Sequence, residues 1–182
     1  MANEASAPSA LSLGGNLGDV AAAFVYALLR LRDAPGVEAL RVSSVYRTPP
    51  WGKLDQPDFL NMAALIETTL PARELLALCL DIERGMGRRR LERWGPRTLD
   101  IDILTYGESI IDEPDLTIPH PRIAERAFVL APLAEIAPRL TIGGQEVGAL
   151  LALADRAGVA LDPGATASVR KAIEFGGVAP RA

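Results

Sequence analysis

Apolar and polar positions divide the chain into alternating strand-like and helix-like stretches. Ala10 to Leu13 predicts a short strand running into Gly14-Gly15-Asn16-Leu17-Gly18-Asp19, a loop whose glycines allow close backbone approach and whose Asp19 can cap the next helix. Ala23, Val25, Leu28, Leu29 and Leu31 supply an apolar side to a helix from about Val20 to Arg32, stopped by Pro35-Gly36. Val37 to Thr48, rich in Val, Ser and Tyr, predicts a strand broken by Pro49-Pro50-Trp51-Gly52. Phe59 to Thr69 predicts the next strand, antiparallel to it. Pro71 suits the first turn of a second helix, which runs through Leu75, Leu76, Leu78, Leu80 and Ile82 to about Met86. Leu99 to Tyr106 forms a further strand, and Gly107-Glu108 turns it into a short partner at Ser109 to Ile111.

The order βαββαβ predicts an α+β fold with a ferredoxin-like antiparallel sheet, helices on one face and the other face free to build a site. Additional C-terminal elements follow: a helical stretch from Ile123 to Ile136 interrupted at Pro132, a turn at Gly143-Gly144, and a weak helix from Val147 to Leu153. One domain over residues 10–160 is expected, with 1–9 and 161–182 as flexible or peripheral tails.

Composition changes this picture little, but the distribution of charge changes it more. Hydrophobic residues make up 49% and charged residues 23%, ordinary for a globular chain, and the net charge of -4 argues against general affinity for nucleic acid or anionic membranes. Six of the 19 basic residues fall between positions 84 and 97, leaving 13 basic against 22 acidic residues elsewhere. A basic patch on an acidic body suits a small, highly anionic ligand. The lone cysteine, Cys79, lies in an apolar helical run and reads as a buried structural thiol. No stretch has the length of a membrane span and no signal peptide is visible, so the expected location is the cytoplasm.

The candidate chemistry lies where the arginine-dense stretch meets the strand after it. Arg88, Arg89, Arg90, Arg93 and Arg97 offer planar, permanently charged forks suited to phosphate oxygens. Asp100 and Asp102 are two apart, so on a strand they share one face while Leu99, Ile101 and Ile103 share the other. Adjacent carboxylates repel and resist burial unless a cation joins them, and Mg2+ takes carboxylate oxygens together with substrate phosphates. The stretch therefore predicts a metal–polyphosphate site. The absence of Gly-x-x-x-x-Gly-Lys-Ser/Thr disfavours an ordinary P-loop kinase.

Ser44-Val-Tyr-Arg-Thr-Pro-Pro50, Asp58-Phe-Leu-Asn61, Gly87-Arg88, Arg93-Trp-Gly-Pro-Arg-Thr-Leu-Asp-Ile-Asp102 and Pro119-His120 occur in an order that closely resembles the 6-hydroxymethyl-7,8-dihydropterin pyrophosphokinases. These folate-pathway enzymes move a pyrophosphoryl group from ATP to a pterin alcohol and release AMP. The resemblance covers about residues 10 to 155. It implies that Asp100 and Asp102 hold two Mg2+ ions. It implies ATP contacts at Glu83, Arg88, Arg90, Arg93, Trp94, Arg97, His120 and Arg126, with Arg88 and Arg97 counted among the catalytic groups beside the two aspartates. Arg93 and Trp94 would sit on a closing loop. Phe59 and Phe128, by themselves ordinary core aromatics, become the two faces of a pterin sandwich. Asn61 would pair with the pterin edge, which backbone groups near Thr48, Pro49 and Trp51 also read. His120 is not assigned as a general base.

Four departures stand out, one of them an arginine loop one residue shorter than in some relatives. Gly15 replaces a frequent Ser, Leu80 a Gln that contacts nucleotide in some relatives, and Pro121 a Tyr. The partners expected are ATP and a pterin alcohol, with no nucleic acid and no membrane, and the chain is expected to be a monomer. The alternative from another class is a nucleic-acid-binding ferredoxin-like module using the arginine loop, opposed by the acidic balance elsewhere and the lack of an aromatic-rich binding strand.

Overall fold

The computed structural model describes residues 6–50, 55–87 and 95–175. In chain order its elements are β1 (Ala7–Gly15), α1 (Val20–Arg32), β2 (Val37–Val42), β3 (Tyr46–Thr48), β4 (Phe59–Thr68), α2 (Ala72–Gly85), β5 (Asp100–Tyr106), β6 (Ile111–Glu113) and β7 (Leu116–Ile118). A 3-10 turn (Ile123–Glu125), α3 (Ala127–Ile136), β8 (Thr141–Ile142), β9 (Gln145–Glu146), α4 (Val147–Leu153), β10 (Ala160–Leu161) and α5 (Pro163–Phe175) complete it.

The main sheet is antiparallel, in the order β10-β3-β4-β1-β5, with β2 also paired to β4. Taken together β2 and β3 are one interrupted strand, so the arrangement is the expected ferredoxin-like sheet. The strand expected over Val37–Thr48 is divided at 43–45. On one face, Leu11 and Leu13 of β1, Met62, Ala64 and Ile66 of β4, and Ile101 and Ile103 of β5 meet Phe24, Leu28 and Leu31 of α1 and Leu75, Cys79 and Ile82 of α2. Burying each of these large side chains contributes about 1.5–3 kcal/mol. The other face is not left to loops. Ala10, Ala63 and Leu104 pack there against Val129, Leu130 and Leu133 of α3 and Val147 and Leu150 of α4. Only the end of that face beyond α3 is left for a site.

Local signals explain most of the element ends. Asp19 Oδ1 accepts the Ala22 N–H at 3.0 Å and caps α1 as expected. In α2 the buried side chains Leu75, Cys79, Ile82 and Glu83 form an i, i+4, i+7, i+8 stripe. The Cys79 thiol is fully buried, and burial first, then the nearby Glu83 and Asp102 charges, push it up to about 12. It is an inert core group.

Several expectations are corrected. β1 begins at Ala7 and continues through Gly14 and Gly15, so residues 7–9 belong to the sheet and the two glycines are strand positions. The segment after β5 does not fold back on it: Ile111–Glu113 pairs with Leu116–Ile118 instead. The helical stretch breaks at Arg126, whose backbone is extended (φ -117°, ψ 91°), and Pro132 lies inside α3. The proline costs the bond its missing N–H would give the Phe128 carbonyl, while Val129, Leu130 and Leu133 bury the helix. Residues 161–175, expected as tail, contain the end of β10 and all of α5. Val169 of α5 is 1% exposed in the α1–α2 core, with Ala165 and Ile173 packed beside it.

Candidate active site

The register of four strands builds the site. β1 sets Gly14 opposite Asn61 of β4 on one side and opposite Asp100 of β5 on the other. β4 in turn sets Asn61 opposite Tyr46 and Phe59 opposite Thr48. One row farther along, Ser12 lies between Ala63 and Asp102. Residues directly opposite one another project from the same face, so Asn61, Asp100 and Asp102 share the face that α3 partly covers. Two strand spacings separate Asn61 from Asp100, roughly 10 Å. Gly14 leaves the space between them open, and a Cβ there would stand 3.1 Å from Asn61 Oδ1. The space at Gly15 is tighter still. A Cβ there would meet the Thr98 carbonyl at 2.5 Å, so a serine at this position would force the backbone apart.

The β1 turn also holds the segment that delivers Arg97. The Asn16 and Leu17 N–H groups donate to the Arg97 carbonyl at 2.9 and 3.1 Å, and the Arg97 N–H donates to Asn16 Oδ1 at 2.9 Å. Asn16 Nδ2 donates onward to Gln56 Oε1 and the Pro57 carbonyl. Asn16 is thus a bracket between the arginine segment and the loop before β4. Its place right after the paired glycines was the signal available in the sequence.

Each aspartate has an arginine, and each arginine lies over an aromatic ring. Arg97 Nη1 is 2.7 Å from Asp100 Oδ2, and its guanidinium carbon is 5.3 Å from the centroid of Phe59. Arg126 Nη1 is 3.8 Å from Asp102 Oδ2, and its guanidinium carbon is 5.8 Å from the centroid of Phe128. Burial lowers Arg126 from its ordinary range, with Asp102 opposing. The Nε atoms of both arginines are buried without a hydrogen-bond partner among the described residues, as suits donors that an anion would satisfy. His120 lies beside Arg126 and Asp100. Burial, then the Arg126 charge, lowers its pKa. Its Nδ1 accepts the Arg122 N–H at 3.3 Å, which assigns the proton of the neutral ring to Nε2 and makes that atom a donor.

Thr48 links the pterin candidates that the structure describes. Asn61 and Thr48 are each 4% exposed, and Asn61 Nδ2 donates to Thr48 Oγ1 at 2.8 Å, which fixes the amide orientation. Thr48, Pro49 and Phe128 line a cleft of about 420 Å³. Arg88, Arg90, Arg93, Trp94 and Trp51 lie outside the described residues.

Glu83 is the exception. Expected on the nucleotide, it is 3% exposed, and its Oε1 accepts the Ile101 N–H at 2.7 Å. Ile101 stands between Asp100 and Asp102 on a strand that, among the described residues, pairs only with β1, so the carboxylate satisfies a free sheet edge and holds the aspartate strand to α2. The same edge is covered farther along by the His120 N–H, which donates to the Leu104 carbonyl at 2.9 Å. Glu83→Ala is expected to lower the unfolding free energy in urea by about 2–4 kcal/mol, from an orphaned N–H and the cavity left behind. A loss below about 0.5 kcal/mol, the range of ordinary surface changes, would refute this structural role.

The donor set fits Mg2+. Two carboxylates share a face with no third His, Cys, Asp or Glu grouped with them among the described residues. That set is too few for an all-protein cage and suits a cation that completes its shell with phosphate and water.

The sequence profile of the family 7,8-dihydro-6-hydroxymethylpterin-pyrophosphokinase (HPPK) matches residues 10–138. A 2-amino-4-hydroxy-6-hydroxymethyldihydropteridine pyrophosphokinase of Methylorubrum extorquens is 49% identical over 149 residues, covering 82% of this chain and 94% of the relative. The protein of the same description from Pseudomonas aeruginosa is 41% identical over 156 residues, covering 85% and 96%. Among solved structures, wild-type Plasmodium falciparum HPPK-DHPS superposes with a TM-score of 0.64 at 15% identity, a likeness of fold alone. That match covers 84% of this chain and 45% of the other, so the chain spans less than half of that longer protein. With the profile matched over most of its length and relatives at this identity, the chain belongs to the 7,8-dihydro-6-hydroxymethylpterin-pyrophosphokinase family.

Proposed function

We propose that this chain transfers the pyrophosphoryl group of ATP to the hydroxyl of 6-hydroxymethyl-7,8-dihydropterin, in tetrahydrofolate biosynthesis. The observation that carries the reading is the row Asn61–Gly14–Asp100, with Phe59 two residues before Asn61 and opposite Thr48, and Phe128 lining a cleft with Thr48. It sets an amide-and-aromatic pocket next to a carboxylate pair on one sheet face. In the reaction the pterin hydroxyl oxygen bonds to the β-phosphorus of ATP. The bond from that phosphorus to the α–β bridging oxygen breaks, AMP leaves with the electron pair, and the hydroxyl proton is released.

The roles are those the resemblance implies, with the geometry in support. Phe59 and Phe128 stack the ring, and Asn61, with the backbone near Thr48 and Pro49, reads its edge. Arg97, Arg126 and the Nε2–H of His120 bind phosphate oxygens and stabilise charge on the transferring group. Asp100 and Asp102 would hold two Mg2+ ions, which when bound neutralise the polyphosphate. Arg88, Arg90, Arg93 and Trp94 for ATP, and Trp51 for the pterin, are assigned on the resemblance. Glu83 acts through β5 rather than on the nucleotide.

The proposal includes a monomer and a cytoplasmic location, the latter supported by ATP as co-substrate. No helix among the described residues is long and apolar enough to cross a membrane. The nucleic-acid alternative has less support, because Arg97 and Arg126 are partly buried against carboxylates rather than displayed along a surface. Incubation with ATP, Mg2+ and 6-hydroxymethyl-7,8-dihydropterin is expected to yield AMP and the pterin diphosphate. ADP as the nucleotide product, or no turnover, would sink the proposal.

A further inference from the structure

The segment that follows the family match braces the loop assigned to the pterin. Between β2 and β3 the backbone leaves the regular ladder, and its buried polar groups need other partners. The Ser43 N–H donates to the Ala63 carbonyl, and Ser43 Oγ accepts the Ala63 N–H, both at 2.9 Å. The Ser44 N–H donates to both carboxylate oxygens of Glu135 on α3, at 3.1 and 3.0 Å. Val45, fully buried, turns both of its groups to the C-terminal segment: its N–H donates to Thr166 Oγ1 at 2.9 Å, and its carbonyl accepts the Asp162 N–H at 2.8 Å.

The same segment grips β3 at further points. β10 pairs with it, Ala160 opposite Arg47 and Leu161 opposite Tyr46. Asp162 Oδ2 binds Arg47 Nη2 at 2.6 Å while its Oδ1 caps α5 through the Ala165 N–H. Thr166 Oγ1 donates to the Asp162 carbonyl at 2.7 Å, so its lone pairs are aimed at Val45. Ahead of β10, Gly158 has φ +76° and lies so close to Pro49 that a Cβ would stand 2.7 Å from the proline Cδ. Asp155, Ala157 and Val159 of this loop form the wall of the cleft that faces Thr48, Pro49 and Phe128. These residues all lie beyond position 138, where the family match ends.

We infer that Thr166 and Gly158 are positioning residues for the pterin, acting through Val45 and Pro49 to set where Thr48 to Pro50 stand against Phe128. A shift of β3 also reaches Asn61, because the Thr48 hydroxyl orients its amide. The inference rests on the pterin pocket proposed above.

The test measures pterin and ATP affinities separately for the full chain and three variants. Thr166→Val keeps the shape but leaves the buried Val45 N–H without its acceptor. It is expected to raise the Kd for the pterin alcohol about fivefold or more while the ATP Kd stays within about twofold. Thr166→Ser restores the oxygen and is expected to restore pterin affinity. Gly158→Ala pushes on Pro49 directly and shifts pterin affinity the same way, and it decides the matter alone if Thr166→Val does not fold. Lowered melting temperatures with both affinities unchanged would overturn the inference. Phe128→Ala, measured alongside, separates the two failures. If it loses pterin affinity while Thr166→Val and Gly158→Ala do not, the pocket stands and the brace falls. If it too binds pterin normally, the pocket falls and the inference with it.

Discussion

Asp100→Ala and Asp102→Ala are each expected to cut turnover by on the order of a thousandfold or more, with the far-ultraviolet circular dichroism of the parent retained. The two carboxylates share the face of β5 opposite the α1–α2 core, where Ile101 and Ile103 anchor the strand, so the core is untouched by either change. Each variant removes half of the oxygen donors that a pair of cations would use to hold the triphosphate. It also strips a counter-charge from an arginine, Arg97 in the first case and Arg126 in the second. The arginines, still bound to phosphate through their own forks, should keep part of the ATP affinity, so the loss should fall mainly on kcat. Raising Mg2+ should recover little. Turnover within about tenfold of the parent for either variant would remove the metal assignment, since that is far less than loss of a charge-stabilising group costs.

Phe128→Ala should separate the two substrates. The residue sits on the first turn of α3, which Val129, Leu130 and Leu133 hold in the core, so truncation should leave the helix in place. The ring lines the cleft with Thr48 and Pro49. Losing one stacking face and its apolar area should weaken the pterin alcohol about ten- to hundredfold. ATP should change by no more than about threefold, because the variant leaves the Arg126 guanidinium and its Asp102 partner in place and takes away only an aromatic neighbour. Calorimetric titration with each substrate alone measures both. Equal losses for the two substrates would mean that Phe128 supports the site as a whole rather than the pterin.

That Asp100 and Asp102 share a face was legible because it needs only the strand period. Asp100 and Asp102 stand two apart in an apolar strand, and no tertiary contact is needed to place them on one face. Asp19, Pro71 and the Gly143-Gly144 turn were legible for the same local reason: a cap, a fixed φ and a pair of positive-φ residues. The part Glu83 plays in the sheet was not legible because its i+8 place on the buried stripe of α2 does not reveal that a bare N–H waits on the neighbouring strand. Glu135 was missed entirely. It is one more acid on a helix until the fold brings Ser44 and the Tyr46 hydroxyl to its carboxylate. α5 was missed although Asp162-Pro163 is a helix start and Ala165, Val169 and Ile173 repeat every four residues. The alanine made the stripe too weak to outweigh the small polar residues around it.

What the chain by itself determined was therefore the set of chemical groups and their local pairing: carboxylates on one strand face, arginines before them, aromatics and an amide on strands and helix nearby. Which of these meet was decided only by strand register. Gly14 joins Asn61 to Asp100 because β1 is central and both neighbours are aligned on it, and a slip of one residue would turn either partner to the face that α1 and α2 cover. Register depends on the whole buried face packing at once, and so it is a property of the tertiary structure.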